Sequence, residues 1–97
     1  MQKKDLNINV LIPILKRNDV EFAGLYGSYA KGTANKQSDV DLLVKFNKPI
    51  GLFKLVRLER ELSQVLNKKI DLVTEGFLSP YIKDDVFHDL KVFYGKR

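Results

Sequence analysis

The 97-residue sequence has no cysteine, one histidine (His88), three prolines and six glycines. Without cysteine there is no disulfide staple, no thiol nucleophile and no cysteine-bound zinc or iron–sulfur site. A lone histidine excludes a multi-histidine metal centre. The small share of proline and glycine excludes fibrous and low-complexity classes. The longest run free of charged side chains, residues 6–15, is ten residues, about half of the roughly 20 needed to cross a bilayer. Residues 1–10 carry Asp5, Asn7 and Asn9 where a secretory leader needs a basic start and a longer apolar run. No membrane association is therefore expected, and the cytoplasm is the default location.

What is present suits a folded chain: 44% hydrophobic and 30% charged residues over a length typical of one unit, taken as a single domain spanning residues 1–97. Seventeen Lys and Arg against twelve Asp and Glu leave a net charge of +5. Such a balance favours phosphate-bearing ligands or an acidic protein partner, although ordinary soluble surfaces often carry a similar excess.

Apolar spacing divides the chain into alternating helices and strands. Val10, Leu11, Ile14 and Leu15 predict a first helix ending near Asn18, with Pro13 in its opening turn. Residues 20–26 read as a short strand running into Gly27, Ser28 and a polar loop with Gly32, Asn35 and Ser38. Over residues 39–46 the pattern alternates: Val40, Leu42, Val44 and Phe46 point one way, Asp39, Asp41, Leu43 and Lys45 the other. Beyond Pro49 and Gly51, Leu52, Leu55, Leu58, Leu62, Val65 and Leu66 recur at helical spacing, so Leu55, Leu58, Leu62 and Val65 are expected to form a core stripe. Residues 69–74 predict a third strand, with Asp71 and Val73 opposite Ile70 and Leu72. A last helix after Ser79 and Pro80, and a strand through Val92, Phe93 and Tyr94 before a basic tail, complete the pattern. The expected fold is α/β (α+β): a small mixed sheet of three to four strands flanked by helices. Tyr81, Phe87, Phe93 and Tyr94 are assigned to core packing, with a contact surface as the alternative; His88 is assigned no role.

Asp39 and Asp41, two residues apart on a strand, share a face with α-carbons roughly 6.6 Å apart. An isolated pair of this kind ordinarily faces solvent. Held together, however, two carboxylates repel, and a divalent cation is the economical reason to keep both. Oxygen-only ligands suit Mg²⁺ or Mn²⁺ rather than zinc. Asp71, between apolar neighbours on another strand, supplies a third carboxylate. Three carboxylates on neighbouring strands suit a two-metal centre acting on a phosphate. Gly27 and Ser28 end a strand and start one helical turn. That is a common turn, but it also lets the backbone approach an anion, with the serine hydroxyl beside it. Lys31 offers a point charge to a phosphate, although most lysines in such a setting are simply solvated.

Together, Gly27-Ser28, ten intervening residues, Asp39-Val40-Asp41, and Asp71 within Ile70-Asp71-Leu72-Val73 resemble the signature of the DNA polymerase β nucleotidyltransferase superfamily. The wording Leu25-Tyr26-Gly27-Ser28-Tyr29-Ala30-Lys31-Gly32 and Ser38-Asp39-Val40-Asp41-Leu42-Leu43-Val44 is similar to its minimal nucleotidyltransferase (MNT) branch, with Lys31 where arginine is more usual. The resemblance covers nearly the whole chain. It implies that Asp39 and Asp41 bind Mg²⁺, two ions in all, that Asp71 completes the site and helps activate the acceptor, and that Gly27 and Ser28 grip the ATP triphosphate. It further implies an antitoxin that silences a HEPN-domain ribonuclease toxin by moving AMP from ATP onto a toxin tyrosine.

With so little chain left to form an acceptor pocket, the acceptor is expected to come from another molecule. Two other readings share the motif: a binding-only antitoxin acting through the aromatic C-terminal segment, and a nucleotidyltransferase for a small molecule of the aminoglycoside type. Direct nucleic-acid binding is disfavoured, because the carboxylates repel a phosphate backbone and no basic stripe with interleaved aromatics is evident.

Overall fold

The structure, a computed structural model, describes residues 7–35 and 37–96. Residues 1–6, part of the segment considered for a leader, and Arg97 of the basic tail lie outside the described residues.

A 3-10 turn over Ile8–Leu11 leads into α1 (Ile12–Arg17), where Pro13 occupies the first turn and has no helical hydrogen bond to forfeit. Strand β1 (Val20–Tyr26) follows, then Gly27, a single turn α2 (Ser28–Lys31), and β2 (Val40–Phe46). Helix α3 (Leu52–Leu66) crosses to β3 (Ile70–Thr74). After a 3-10 turn at Glu75–Phe77, α4 (Pro80–Asp89) starts at Ser79, whose hydroxyl accepts the Tyr81 amide at 3.2 Å. The last strand, β4, is Lys91–Gly95.

The strands form one mixed sheet in the order β3-β2-β1-β4. β1 runs antiparallel to β2 and β4, and β2 is parallel to β3. Crossing between parallel neighbours requires a long connection, and α3 provides it. Period two then sorts the residues. Val40, Leu42, Val44, Ala23, Ile70 and Leu72 join α1 and α3 in the main core. On the opposite face Phe22 and Leu43 pack with Val86 of α4, with Tyr26, Phe87 and Leu90 around them. Helix α4 settles on β1 because Gly24 leaves room for Leu90, whose Cδ1 lies 2.6 Å from where a β-carbon would stand.

Two core assignments are corrected. Leu55, Leu58 and Leu62 are buried, but Val65 is 48% exposed. The stripe drifts to the 58–62–66 row, so Leu66 packs against the core in its place. Tyr81 is 93% exposed, whereas Phe87, Phe93 and Tyr94 are partly buried. It lies five residues before Val86, about 140° round the helix from the row that meets the sheet.

Strand β3 ends the sheet, and two of its outward amides are capped by α3. Leu72 N–H donates to Glu59 Oε2 at 2.8 Å and Ile70 N–H to Ser63 Oγ at 3.1 Å, both acceptors on α3. A charge-assisted bond of this kind is worth about 1.5 kcal/mol. Glu59→Ala is accordingly expected to lower Tm by roughly 6–12 °C, with Glu59→Gln recovering part of the loss, as read by thermal unfolding.

Candidate active site

Three backbone facts bring the carboxylates to one place. Asp41 pairs in register with Asp71 on one side and with Tyr26 on the other. Adjacent strands lie about 4.8 Å apart, and Asp39 sits immediately before β2, two residues ahead of Asp41 and roughly 6–7 Å from it. All three acids project from the face that carries Leu43 and Tyr26, opposite the main core. Asp71 is therefore beside the first two acids and not behind the sheet.

The electrostatics reflect this crowding. The Asp41 carboxyl is raised above its ordinary value of 3.8, first by burial, then by the neighbouring charges of Asp71 and Asp39. The Tyr26 hydroxyl is pushed up to about 12 by burial and by the fields of Asp41 and Asp71. Tyr26 thus stays a neutral phenol throughout the physiological range. Its folded pKa exceeds its unfolded value of 10.0, so the stability linked to this proton is complete below pH 10 and lost as pH rises toward 12. Ultraviolet titration of the four tyrosines should show one late-ionising phenol, absent in Tyr26→Phe.

Gly27 shapes the approach to the acids. Its φ of +74° and ψ of −149° belong to a region only glycine occupies readily, and a β-carbon there would run into Asp41 Oδ2. The chain turns at once into α2, whose first amides have no carbonyl four residues back. Ser28 is the first residue of that turn, which closes with Lys31 N–H donating to Gly27 O at 3.0 Å and Gly32 in the left-handed region. The Gly27-Ser28 bend and the carboxylates are thus in direct contact through Gly27 and Asp41.

Cations rim this acidic centre. Lys31 reaches Asp89 of α4, Nζ to Oδ2 3.6 Å, so this candidate phosphate contact is tied to a carboxylate. Lys69 Nζ lies 3.8 Å from Asp39 Oδ2, and Lys68 Nζ stands over the Tyr29 ring, 5.7 Å from its centroid. Sequence reasoning missed Tyr26, Asp89 and Lys69. Period two already placed Tyr26 on a defined face of β1, and the parallel register that sets Val40 opposite Ile70 also sets Asp39 opposite Lys69, but neither neighbour is visible without strand order. His88 Nδ1 lies 3.4 Å from Oδ1 of the adjacent Asp89, on an exposed ring.

Among the described residues no group of three or more Asp, Glu or His side chains is already drawn together as a metal cage. The donor set nevertheless fits a hard divalent cation: three carboxylates on one face, mutual repulsion that raises Asp41, and a glycine that keeps the approach clear. A separate cleft of about 570 Å³ opens at the far end of the sheet between Phe46, Ile50, Leu55 and Phe77. It contains none of these acids and is not the candidate site.

Comparison with known proteins bears on the family and the fold. The nucleotidyltransferase domain family matches residues 8–93. A Methanocaldococcus jannaschii relative is 39% identical over 88 residues, covering 87% of this chain and 95% of its own. The protein adenylyltransferase MntA of Thermococcus cleftensis is 36% identical over 75 residues, 77% of this chain and 76% of that one. A crystal structure of a toxin–antitoxin with AMP-PNP superposes with a TM-score of 0.83 at 28% identity, covering 95% of this chain and 76% of that chain. The mixed four-strand sheet flanked by helices is that of the nucleotidyltransferase fold, and the chain belongs to the nucleotidyltransferase domain family.

Proposed function

We propose that this single-domain chain is a Mg²⁺-dependent protein adenylyltransferase that moves AMP from ATP to a tyrosine hydroxyl of a HEPN-type toxin, acting in the cytoplasm as its antitoxin. The observation that carries this reading is the convergence of Asp39, Asp41 and Asp71 beside the Gly27-Ser28 bend. The adenylyltransferase relative and the toxin–antitoxin neighbour holding an ATP analogue support the nucleotide and the partner.

In this reaction the tyrosine oxygen forms a bond to the α-phosphorus, the bond from that phosphorus to the bridging oxygen breaks, and pyrophosphate leaves. Asp39, Asp41 and Asp71 would hold the two ions, which would supply charge stabilisation to the transferring phosphoryl group. Asp71 also orients the acceptor hydroxyl and takes up its proton. The Ser28 hydroxyl and the first amides of α2 hold the outer phosphates, with Lys31 as an accessory cation. The neutral Tyr26 and the apolar floor of Leu43 and Val86 keep water from the back of the carboxylates.

The test is transfer of label from α-labelled ATP to the partner toxin in the presence of Mg²⁺. The wild-type chain is expected to label the toxin, and Asp39→Asn with Asp41→Asn to lose at least roughly 10³-fold in rate. An unlabelled partner, or full labelling by the double variant, refutes the assignment. A binding-only antitoxin is the second reading, favoured by the exposure of Phe77, in the turn before α4, and of Tyr81 in the first turn of α4. It predicts neutralisation that survives loss of both aspartates and needs no ATP.

A further inference from the structure

We infer that Lys69 is an exchangeable counter-cation: its ammonium partners Asp39 in the chain alone and transfers to the phosphate tail of a metal-bound nucleoside triphosphate. The inference rests on the nucleotidyltransferase reading above and assigns a positioning residue within that site.

The backbone of Lys69 is fixed while its head is loose. Lys69 O accepts the Val40 amide at 2.9 Å, fastening the residue to the start of β2 immediately beside Asp39. Its ammonium, by contrast, stands 3.8 Å from Asp39 Oδ2 on a side chain 71% exposed, a pair held weakly enough to exchange. A flexible four-carbon stem with a compact charge allows the head to swing without moving the anchor.

The charges around it give that swing a direction. Three carboxylates on one face need positive charge, and in the chain alone Lys69 supplies it to Asp39. A divalent cation on the same carboxylate repels the ammonium at this range. The displaced head then meets the negative charge that a nucleotide brings. Lys69 also lines an open groove of about 470 Å³ with Arg60, Ser63, Gln64, Asn67 and Lys68, so further cations stand near its ammonium. The exchange leaves the net charge of the site little changed by loading.

Two binding measurements with opposite expected signs test this. Titration calorimetry of Mn²⁺ alone should show roughly three- to tenfold tighter binding for Lys69→Ala and Lys69→Gln than for wild type, an effect that shrinks at high salt. Binding of AMP-PNP at saturating Mn²⁺ should be roughly three- to tenfold weaker for the same variants, with Lys69→Arg near wild type in both. A merely structural role weakens both together and overturns the inference, as do unchanged Mn²⁺ affinity or unchanged AMP-PNP affinity. No Mn²⁺ binding by wild type refutes the metal site itself, whereas normal wild-type binding with no effect of the variants refutes only the role of Lys69.

Discussion

Asp41→Asn is expected to cost at least roughly 10³-fold in nucleotidyl transfer while raising the melting temperature of the chain in the absence of divalent ions. The two effects share one cause. Asp41 lies between Asp71 in register and Asp39 two residues before it, and burial and these charges hold its folded pKa above 3.8. A carboxyl that binds its proton more tightly folded than unfolded contributes stability that is complete below the unfolded pKa and lost as pH rises through the folded one. At neutral pH that contribution is gone and the repulsion remains. Like charges on paired strands cost about 0.2–1 kcal/mol, so neutralising Asp41 should raise Tm by roughly 1–8 °C. Mild acidification of the wild type should act in the same direction and leave Asp41→Asn largely unaffected. Added Mg²⁺ should stabilise the wild type more than the variant. Thermal scans with and without chelator read all of these effects, and a variant less stable than wild type at neutral pH without divalent ions contradicts the account.

Gly27→Ala is expected to damage both the fold and the candidate site. The backbone at φ +74°, ψ −149° strains any other residue by roughly 1–3 kcal/mol, which for a domain of this size lowers Tm on the order of 5–20 °C. The added β-carbon also strikes the Asp41 carboxylate, so either the strand shifts or the acid turns away from its partners. Activity should therefore fall well beyond what the loss of fold explains. Gly32→Ala is the matched control: φ is +78° there too, but a β-carbon would meet nothing within 4 Å. It should cost about 1 kcal/mol of stability and leave transfer intact once folded protein is counted. Equal losses of activity in the two variants contradict the proposed contact.

Much of this architecture is legible in the chain itself, for identifiable reasons. The alternation through Val40, Asp41, Leu42, Leu43 and Val44 predicts both the strand and the separation of acids from core. The Leu55, Leu58 and Leu62 spacing predicts the buried face of α3, and Ser79-Pro80 marks the start of α4. The structure sets Asp41 in register with Asp71 and against Gly27, two neighbour relations that join motifs distant in the sequence. What local pattern cannot carry is relative position. The order β3-β2-β1-β4 is a property of the assembled sheet, and with it come the juxtaposition of Tyr26 with Asp41, the reach of Lys31 to Asp89, and the pairing of Asp39 with Lys69. Val65 shows a different failure. A stripe at three- and four-residue spacing drifts around a helix, and which of two neighbours meets the core in the last turn depends on where the sheet ends.

The account turns on whether the three aspartates share divalent ions, and anomalous diffraction from crystals grown with Mn²⁺ and AMP-PNP measures this directly. The expected result is an anomalous peak with carboxylate oxygens of Asp39 and Asp41 at about 2.1 Å, Asp71 within the same cluster, and the outer phosphates against Gly27 and Ser28. Manganese bound away from these carboxylates, or nucleotide seated in the apolar cleft at the opposite end of the sheet, would contradict it.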